Sequence, residues 1–298
     1  MSNNPIFTGC GVAIVTPFND DLSVNYKSLE NLLEFHIANG TDSIVICGTT
    51  GESATLTPKE HSDVIKFTCD VVNHRIPVIA GTGSNETAYA IELSNDAEKA
   101  GADAMLVVTP YYNKCSQRGL VKHYQAIADN TSKPIISYNV PSRTGVNVLP
   151  TTYAELCEHK NIIATKEASG NISQIAETIA LCGDKLDVYS GNDDQIVPLM
   201  SLGGKGVISV LSNICPKLAH DIPTLYLEGK VKESAELQLK YLDLINAMFM
   251  DVNPIPVKVA MRMMGFDVGP LRMPLCEMED AKTAKLESIL KKYELIWF

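Results

Sequence analysis

Asn161-Ile-Ile-Ala-Thr-Lys-Glu-Ala-Ser-Gly170 decides how the rest of this chain is read. A short apolar run ends in a lysine, and a glycine follows. The run lacks polar alternation, so it reads as a strand covered on both faces, as in a parallel sheet. A lysine at its end is drawn to the rim of an apolar interior. Burial disfavours an ammonium, and a neutral amine can attack a ketone to form a Schiff base. Lys166 is therefore the first candidate for covalent chemistry. Upstream, Ile135-Ile-Ser-Tyr-Asn-Val-Pro-Ser-Arg-Thr-Gly145 repeats the pattern. That strand ends in a phenol, Tyr138, suited to carrying protons. A guanidinium, Arg143, follows and suits a carboxylate.

Working outward, similar apolar runs occur at 11–15, 43–47, 78–81, 104–108, 135–139, 162–166, 187–190 and 206–210. The segments between them carry helical spacing. In 25–39, Leu29, Leu32, Leu33, His36 and Ile37 share one face. Thr57-Pro-Lys-Glu60 is a capping box with proline at the first helical position. Segments 85–100 and 116–130 continue the alternation. Eight strand–helix units predict an α/β fold, a closed (β/α)8 TIM barrel. An open doubly wound sheet is the alternative, but Gly11-Val-Ala-Ile-Val-Thr-Pro17 lacks its glycine-rich turn. After Gly229 the alternation stops. Helices are expected at 231–249, 254–264 and 280–293. The expected division is a catalytic barrel, 1–229, and a C-terminal helical appendage, 230–298. Met248, Met250, Met261, Met263 and Met264 cluster in that appendage, chiefly as packing filler.

The 298 residues carry 35 acidic against 25 basic side chains, a net charge of −10. Such a surface repels phosphate backbones and anionic lipid heads, so no nucleic-acid or membrane partner is expected. Eight scattered cysteines without a C-x-x-C pair read as reduced thiols of a cytoplasmic protein. Met1-Ser-Asn-Asn-Pro-Ile-Phe7 does not read as a signal peptide, and no apolar stretch approaches a membrane span. The six histidines lack metal-ligand spacing. No metal and no cofactor are expected.

In a barrel of this kind chemistry sits at the C-terminal ends of the strands. Gly48-Thr-Thr-Gly-Glu52, Pro110-Tyr-Tyr-Asn113, Tyr138, Arg143, Lys166 and Ser190-Gly-Asn-Asp-Asp194 all fall on that rim. Each has a plainer alternative. Thr49 and Thr50 could merely lead into the next helix, Tyr138 could be a core tyrosine, and Tyr111 and Tyr112 could be surface aromatics. Asn192-Asp193-Asp194 reads as a helix N-cap rather than as a catalytic carboxylate pair. Leu202-Gly-Gly-Lys-Gly206 precedes the last strand and belongs to the opposite face. Leu211-Ser-Asn-Ile-Cys-Pro216, which follows that strand, lacks phosphate-loop glycines.

Six stretches in order now carry a resemblance. They are Gly11-Val-Ala-Ile-Val-Thr-Pro-Phe18, Gly48-Thr-Thr-Gly-Glu-Ser53, Pro110-Tyr-Tyr-Asn113, Tyr138-Asn-Val-Pro-Ser-Arg-Thr-Gly145, Thr165-Lys-Glu-Ala168 and Ser190-Gly-Asn-Asp193. Together they resemble the dihydrodipicolinate synthase family, over about residues 6–213 with a helical tail of fitting length. N-acetylneuraminate lyases resemble the chain too, but lack the arginine context. The resemblance implies that Lys166 forms an imine with pyruvate and that Tyr138 is the central proton donor and acceptor. Thr49 and Tyr112 complete a hydroxyl relay, Tyr112 working across a dimer. It implies that Thr50 holds the pyruvate carboxylate, that Gly191 and Ile208 line the site, and that Arg143 binds aspartate 4-semialdehyde. A cytoplasmic homotetramer, a dimer of dimers, is implied. An allosteric lysine cleft would involve Ser53, Ala54, His61, Asn85 and Tyr111. Pro58 and Tyr89 stand where lysine-inhibited members carry histidine and glutamate, so feedback is expected to be weak. Cys115 stands where proline is common. The rival readings are another pyruvate aldolase, acting on a sugar acid, and a non-catalytic ligand sensor.

Overall fold

The computed structural model describes residues 5–296; Met1-Ser-Asn-Asn4 of the leader reading lies outside them. Eight parallel strands close a barrel in sequence order. They are β1 (Gly9–Ala13), β2 (Ser43–Ile46), β3 (Val78–Gly81), β4 (Ala104–Val108), β5 (Ile135–Asn139), β6 (Ile162–Glu167), β7 (Asp187–Ser190) and β8 (Gly206–Ser209). The first strand starts and stops two residues earlier than its apolar run predicts. Ile14 donates to the Val45 carbonyl and Val15 donates to Asn213 Oδ1. Those two residues stay buried after the chain has left the ladder, so hydrophobicity overstates the strand there.

Strand alternation sorts the side chains into two layers. Val45, Ile79, Leu106, Ile136, Ala164 and Ile208 fill the barrel interior. Phe7 stacks on Tyr189 at 4.4 Å between centroids, and Tyr189 donates to the Phe7 carbonyl at 2.7 Å. The outward residues pack beneath the helices. Helix Tyr26–Ala38 buries Leu29, Leu32, Leu33 and His36 on one face, as its spacing predicts. The capping box at Thr57 and Glu60 is present.

The C-terminal helices share the outer apolar layer. Leu244, Val257 and Leu286 belong to the same cluster as Val12 and Leu29. The single helix expected at 231–249 is two helices, Val231–Lys240 and Leu242–Ala247. The first packs on Pro216–Leu227 and the second on Asp280–Lys292. Each helix has its own packing partner, and at the break between them the Tyr241 ring lies 4.8 Å from that of Tyr293. Among the described residues no helix is long and apolar enough to cross a membrane.

At the N-terminal ends of the strands Asp42 Oδ2 accepts from the Cys10 backbone N–H and from His220 Nδ1, each at 2.7 Å. The hydrogen bond to Asp42 raises the His220 pKa against the opposing effect of burial. The folded value therefore exceeds the unfolded one. The stabilisation is complete below about pH 6.5 and is lost as pH rises through the folded value. Thermal midpoints measured at about pH 6 and about pH 8 should fall with pH in the wild type. In His220→Gln this component of the fall should vanish.

Candidate active site

The site is built where β2, β5, β6, β7 and β8 end. After β2 the chain turns through Gly48-Thr49-Thr50-Gly51, bracketed by left-handed Cys47 (φ 55°) and Glu52 (φ 52°). Thr16 Oγ1 donates to the Gly51 carbonyl at 2.7 Å. Glu52 is wholly buried and pairs with wholly buried Lys258 at 2.9 Å. Its other oxygen accepts from the Arg272 backbone N–H at 3.0 Å. The turn is thus fastened to the C-terminal segment and presents Thr49 and Thr50 at fixed positions.

The register of β5 and β6 sets Tyr138 opposite Lys166, and β7 sets Tyr189 on its other side. Lys166 is 6% exposed, and its Nζ lies 4.4 Å from the Tyr138 ring centroid. Its sequence neighbour Glu167 faces outward and is buried too. Glu167 accepts from Asn139 Nδ2 (3.0 Å), Tyr153 Oη (3.1 Å) and the Ser169 N–H (3.0 Å). Burial raises the Glu167 pKa and these hydrogen bonds oppose it. The network ties the backbone on both sides of Lys166, so the lysine projects from a rigid strand.

Gly191, after β7, leaves room for that lysine. A Cβ there would lie 2.7 Å from Ala168 Cβ and 3.1 Å from Lys166 Cε. Ile208 sits in the barrel interior. Asp193 departs from the N-cap reading, since its own short helical turn has no side-chain cap. It is buried, and Oδ2 accepts from the backbone N–H groups of Val210 and Leu211 at 3.0 Å each. Sequence spacing could not reveal this, because the capped turn follows β8 rather than Asp193. Burial raises the Asp193 pKa; the hydrogen bonds and the Lys166 charge pull it down.

A cavity of about 470 Å³ opens beside the turn after β2 and the end of β5. Its wall includes Thr49, Tyr138, Arg143 and Asn253; Lys166 is not on it, although its Nζ lies over the Tyr138 ring. Ser53, Ala54, His61, Tyr89 and Tyr111 are on the same wall. Thr49, Tyr138 and Arg143 and four of the five expected cleft residues therefore border one space, while Thr50, Lys166, Gly191 and Ile208 are not on its wall. Asn85 is not on its wall; its carbonyl accepts from Asn113 Nδ2 at 2.9 Å. Burial lowers the His61 pKa. Tyr112 is not brought into the site: it is 90% exposed, with a left-handed backbone (φ 67°), and points off the loop after β4. Pro58 begins helix Pro58–Val72. Among the described residues no group of three or more His, Cys, Asp or Glu could hold a metal ion.

Two contributors escape the sequence reading. Lys258 lies in the expected helix at 254–264 and looks like one more helix lysine. Asn253 precedes that helix in Asp251-Val-Asn-Pro-Ile-Pro256. Its Nδ2 donates to Thr50 Oγ1 at 3.0 Å, and its carbonyl accepts from Arg143 Nη2 at 3.1 Å. An asparagine–proline pair between helices marks a turn, and nothing local says that the turn reaches the barrel mouth.

Known proteins place this geometry. A 4-hydroxy-tetrahydrodipicolinate synthase of Lachnoclostridium phytofermentans is 60% identical over 292 residues, covering 98% of this chain and 99% of that protein. One of Clostridium novyi is 56% identical over 288 residues, covering 97% of each. The crystal structure of dihydrodipicolinate synthase from Aquifex aeolicus superposes with a TM-score of 0.95 at 45% identity, over 97% of this chain and 99% of that one. The sequence profile of the Dihydrodipicolinate synthetase family matches residues 6–293, from before β1 to the end of the last helix, and the chain belongs to that family.

Proposed function

We propose that Lys166 carries the chemistry of this chain as a Schiff-base nucleophile. The chain is a lyase of the class I aldolase type. It condenses pyruvate with L-aspartate 4-semialdehyde to give 4-hydroxy-tetrahydrodipicolinate, the first step of the diaminopimelate branch towards lysine. The observation that carries the mechanism is the buried Lys166 amine beside the Tyr138 ring, at the end of an apolar strand.

The Lys166 amine attacks the pyruvate ketone, and water leaves as the imine forms. The protonated imine withdraws electrons from the methyl group, which loses a proton and becomes an enamine. The enamine carbon adds to the aldehyde, making the new carbon–carbon bond. The product is a ring, so the substrate's own amine must displace Lys166 from the imine carbon. Protons move at every step. Tyr138 is the shuttle in this reading, wired to Thr49 and, from a neighbouring subunit, to Tyr112. Thr50 holds the pyruvate carboxylate, Gly191 and Ile208 line its pocket, and Arg143 takes the carboxylate of the second substrate.

The working unit in this reading is a homo-oligomer, a dimer of dimers, because the exposed Tyr112 needs a second copy to reach a site. The division into a barrel, 1–229, and a helical appendage, 230–298, and a cytoplasmic location belong to the same reading. Borohydride added with pyruvate should fix a reduced pyruvyl group on Lys166, located by peptide mass spectrometry; an unmodified Lys166 peptide rejects the mechanism. Millimolar L-lysine should inhibit weakly or not at all. Tyr89 puts a phenol where a carboxylate would meet a lysine ammonium, and Pro58 lacks a side-chain donor. Strong inhibition in a titration of initial rate would overturn that part.

A further inference from the structure

We propose that Asn139 is a positioning residue that holds the loop bearing Arg143 in register with the strand bearing Lys166, so that the second substrate is presented to the pyruvate adduct. This rests on the reaction proposed above and adds the part that sets the spacing between its two substrate sites. Asn139 ends β5 and is wholly buried. Its side chain reaches three places. Nδ2 donates to Asn147 Oδ1 at 2.9 Å and to Glu167 Oε1 at 3.0 Å, and Oδ1 accepts from the Val148 N–H at 3.0 Å. Its backbone carbonyl accepts from the Ala168 N–H at 2.9 Å.

Asn147 and Val148 lie at the far end of a loop, 140–147, that leaves β5 directly after Asn139. One amide therefore closes this loop at its neck. Arg143 stands midway along it, in the short helix Pro141–Thr144 that ends at left-handed Gly145 (φ 69°). The third partner belongs to β6. Glu167 faces Asn139 across the β5–β6 ladder, on the rung next to the one that sets Tyr138 opposite Lys166. A carboxamide meets all three demands, having two N–H donors and an accepting oxygen. A carboxylate has no donor and would face Glu167 as a like charge. Gln174 exchanges hydrogen bonds with Asn147 at 2.7 and 3.2 Å, which leaves Asn147 Oδ1 facing Asn139 as an acceptor. Asn139, Asn147, Val148 and Glu167 are not on the cavity wall, whereas Arg143 is, so their effect on the second substrate passes through Arg143.

The test uses the full-length enzyme and reads the two substrates separately. The quantities are kcat/KM for L-aspartate 4-semialdehyde at saturating pyruvate, KM for pyruvate, and the rate of borohydride trapping of pyruvate. Asn147→Ala opens one side of the neck and leaves the Asn139 bonds to Glu167 and Val148 in place. Its kcat/KM for the semialdehyde should fall about tenfold, within the roughly 10²-fold that a misplacement of about 1 Å can cost. KM for pyruvate and the trapping rate should stay within about twofold of wild type. In an Arg143→Ala background the same change should add no more than about twofold, because the residue it positions is gone. Asn139→Ala frees the β6 side too, so trapping should slow as well. Equal losses for both substrates, an Asn147→Ala loss that persists without Arg143, or no loss at all would overturn the proposal. So would an Asn139→Ala enzyme that folds and traps pyruvate at the wild-type rate. If Asn139→Ala does not fold, Asn147→Ala decides alone. No adduct in the wild type rejects the lysine mechanism itself, whereas an intact adduct with an undiminished semialdehyde rate in Asn147→Ala rejects only the positioning role.

Discussion

Lys166→Met lowers kcat by about 10⁴-fold or more, the scale on which a covalent nucleophile is lost, and abolishes the borohydride adduct. The reason is that methionine keeps the length and apolar stem of the side chain but has no nitrogen to bond the keto acid. Its thioether adapts to the interior of β6, where Ala164, Tyr138 and Tyr189 surround it. Removing an amine that burial has partly stripped of water also costs the fold little. The thermal midpoint should therefore stay level or rise while turnover disappears. Lys166→Arg is the sharper control. It restores a cation at the same place, yet a guanidinium does not form the imine, so activity stays lost. If either variant kept turnover within tenfold of wild type, the amine would be a charge rather than a nucleophile. Tyr138→Phe should behave differently, losing about 10²- to 10⁴-fold in rate as a proton carrier does while still trapping pyruvate slowly.

The barrel was legible because its strands are short apolar runs covered on both sides. Every strand after β1, including 78–81 and 135–139, begins and ends where its run does or within one residue, since a ladder buried on two faces has no polar phase to shift it. The rim residues were legible through one topological rule, that strand ends in such a barrel face one way. Asp193 was legible as a backbone-capping residue but not as to which backbone, because its target lies on the next strand's far end. Asn253 and Lys258 were not legible at all. Both act through contacts more than two hundred residues away in sequence, with Thr50 and Glu52, and periodicity reports only local faces. Tyr112 was legible as an aromatic on the rim, and the structure leaves it exposed on the loop after β4.

Lys258→Met should be the most destabilising of the single changes considered, although Lys258 never touches the cavity. Its Nζ donates to Glu52 Oε1 (2.9 Å), to the Thr16 carbonyl (3.2 Å) and to the Pro270 carbonyl (2.7 Å), with the Phe18 ring 4.6 Å away. Burial pulls its pKa down, and the Glu52 charge opposes that. Methionine fills the space but leaves the Glu52 carboxylate in an apolar interior with only the Arg272 N–H for company. Breaking a buried pair from one side costs about 3–5 kcal/mol, which in a chain of this size lowers the thermal midpoint by roughly 10 °C. Activity should fall with it, because Glu52 ends the turn that carries Thr49 and Thr50, and a loosened turn raises the KM for pyruvate before it lowers kcat. The double variant Glu52→Gln with Lys258→Met distinguishes a charge effect from lost packing. It removes the stranded charge, so much of the stability should return, and the two changes should be strongly non-additive. A double variant as unstable as the sum of its parts would mean that shape, not charge, fastens the turn to the C-terminal segment.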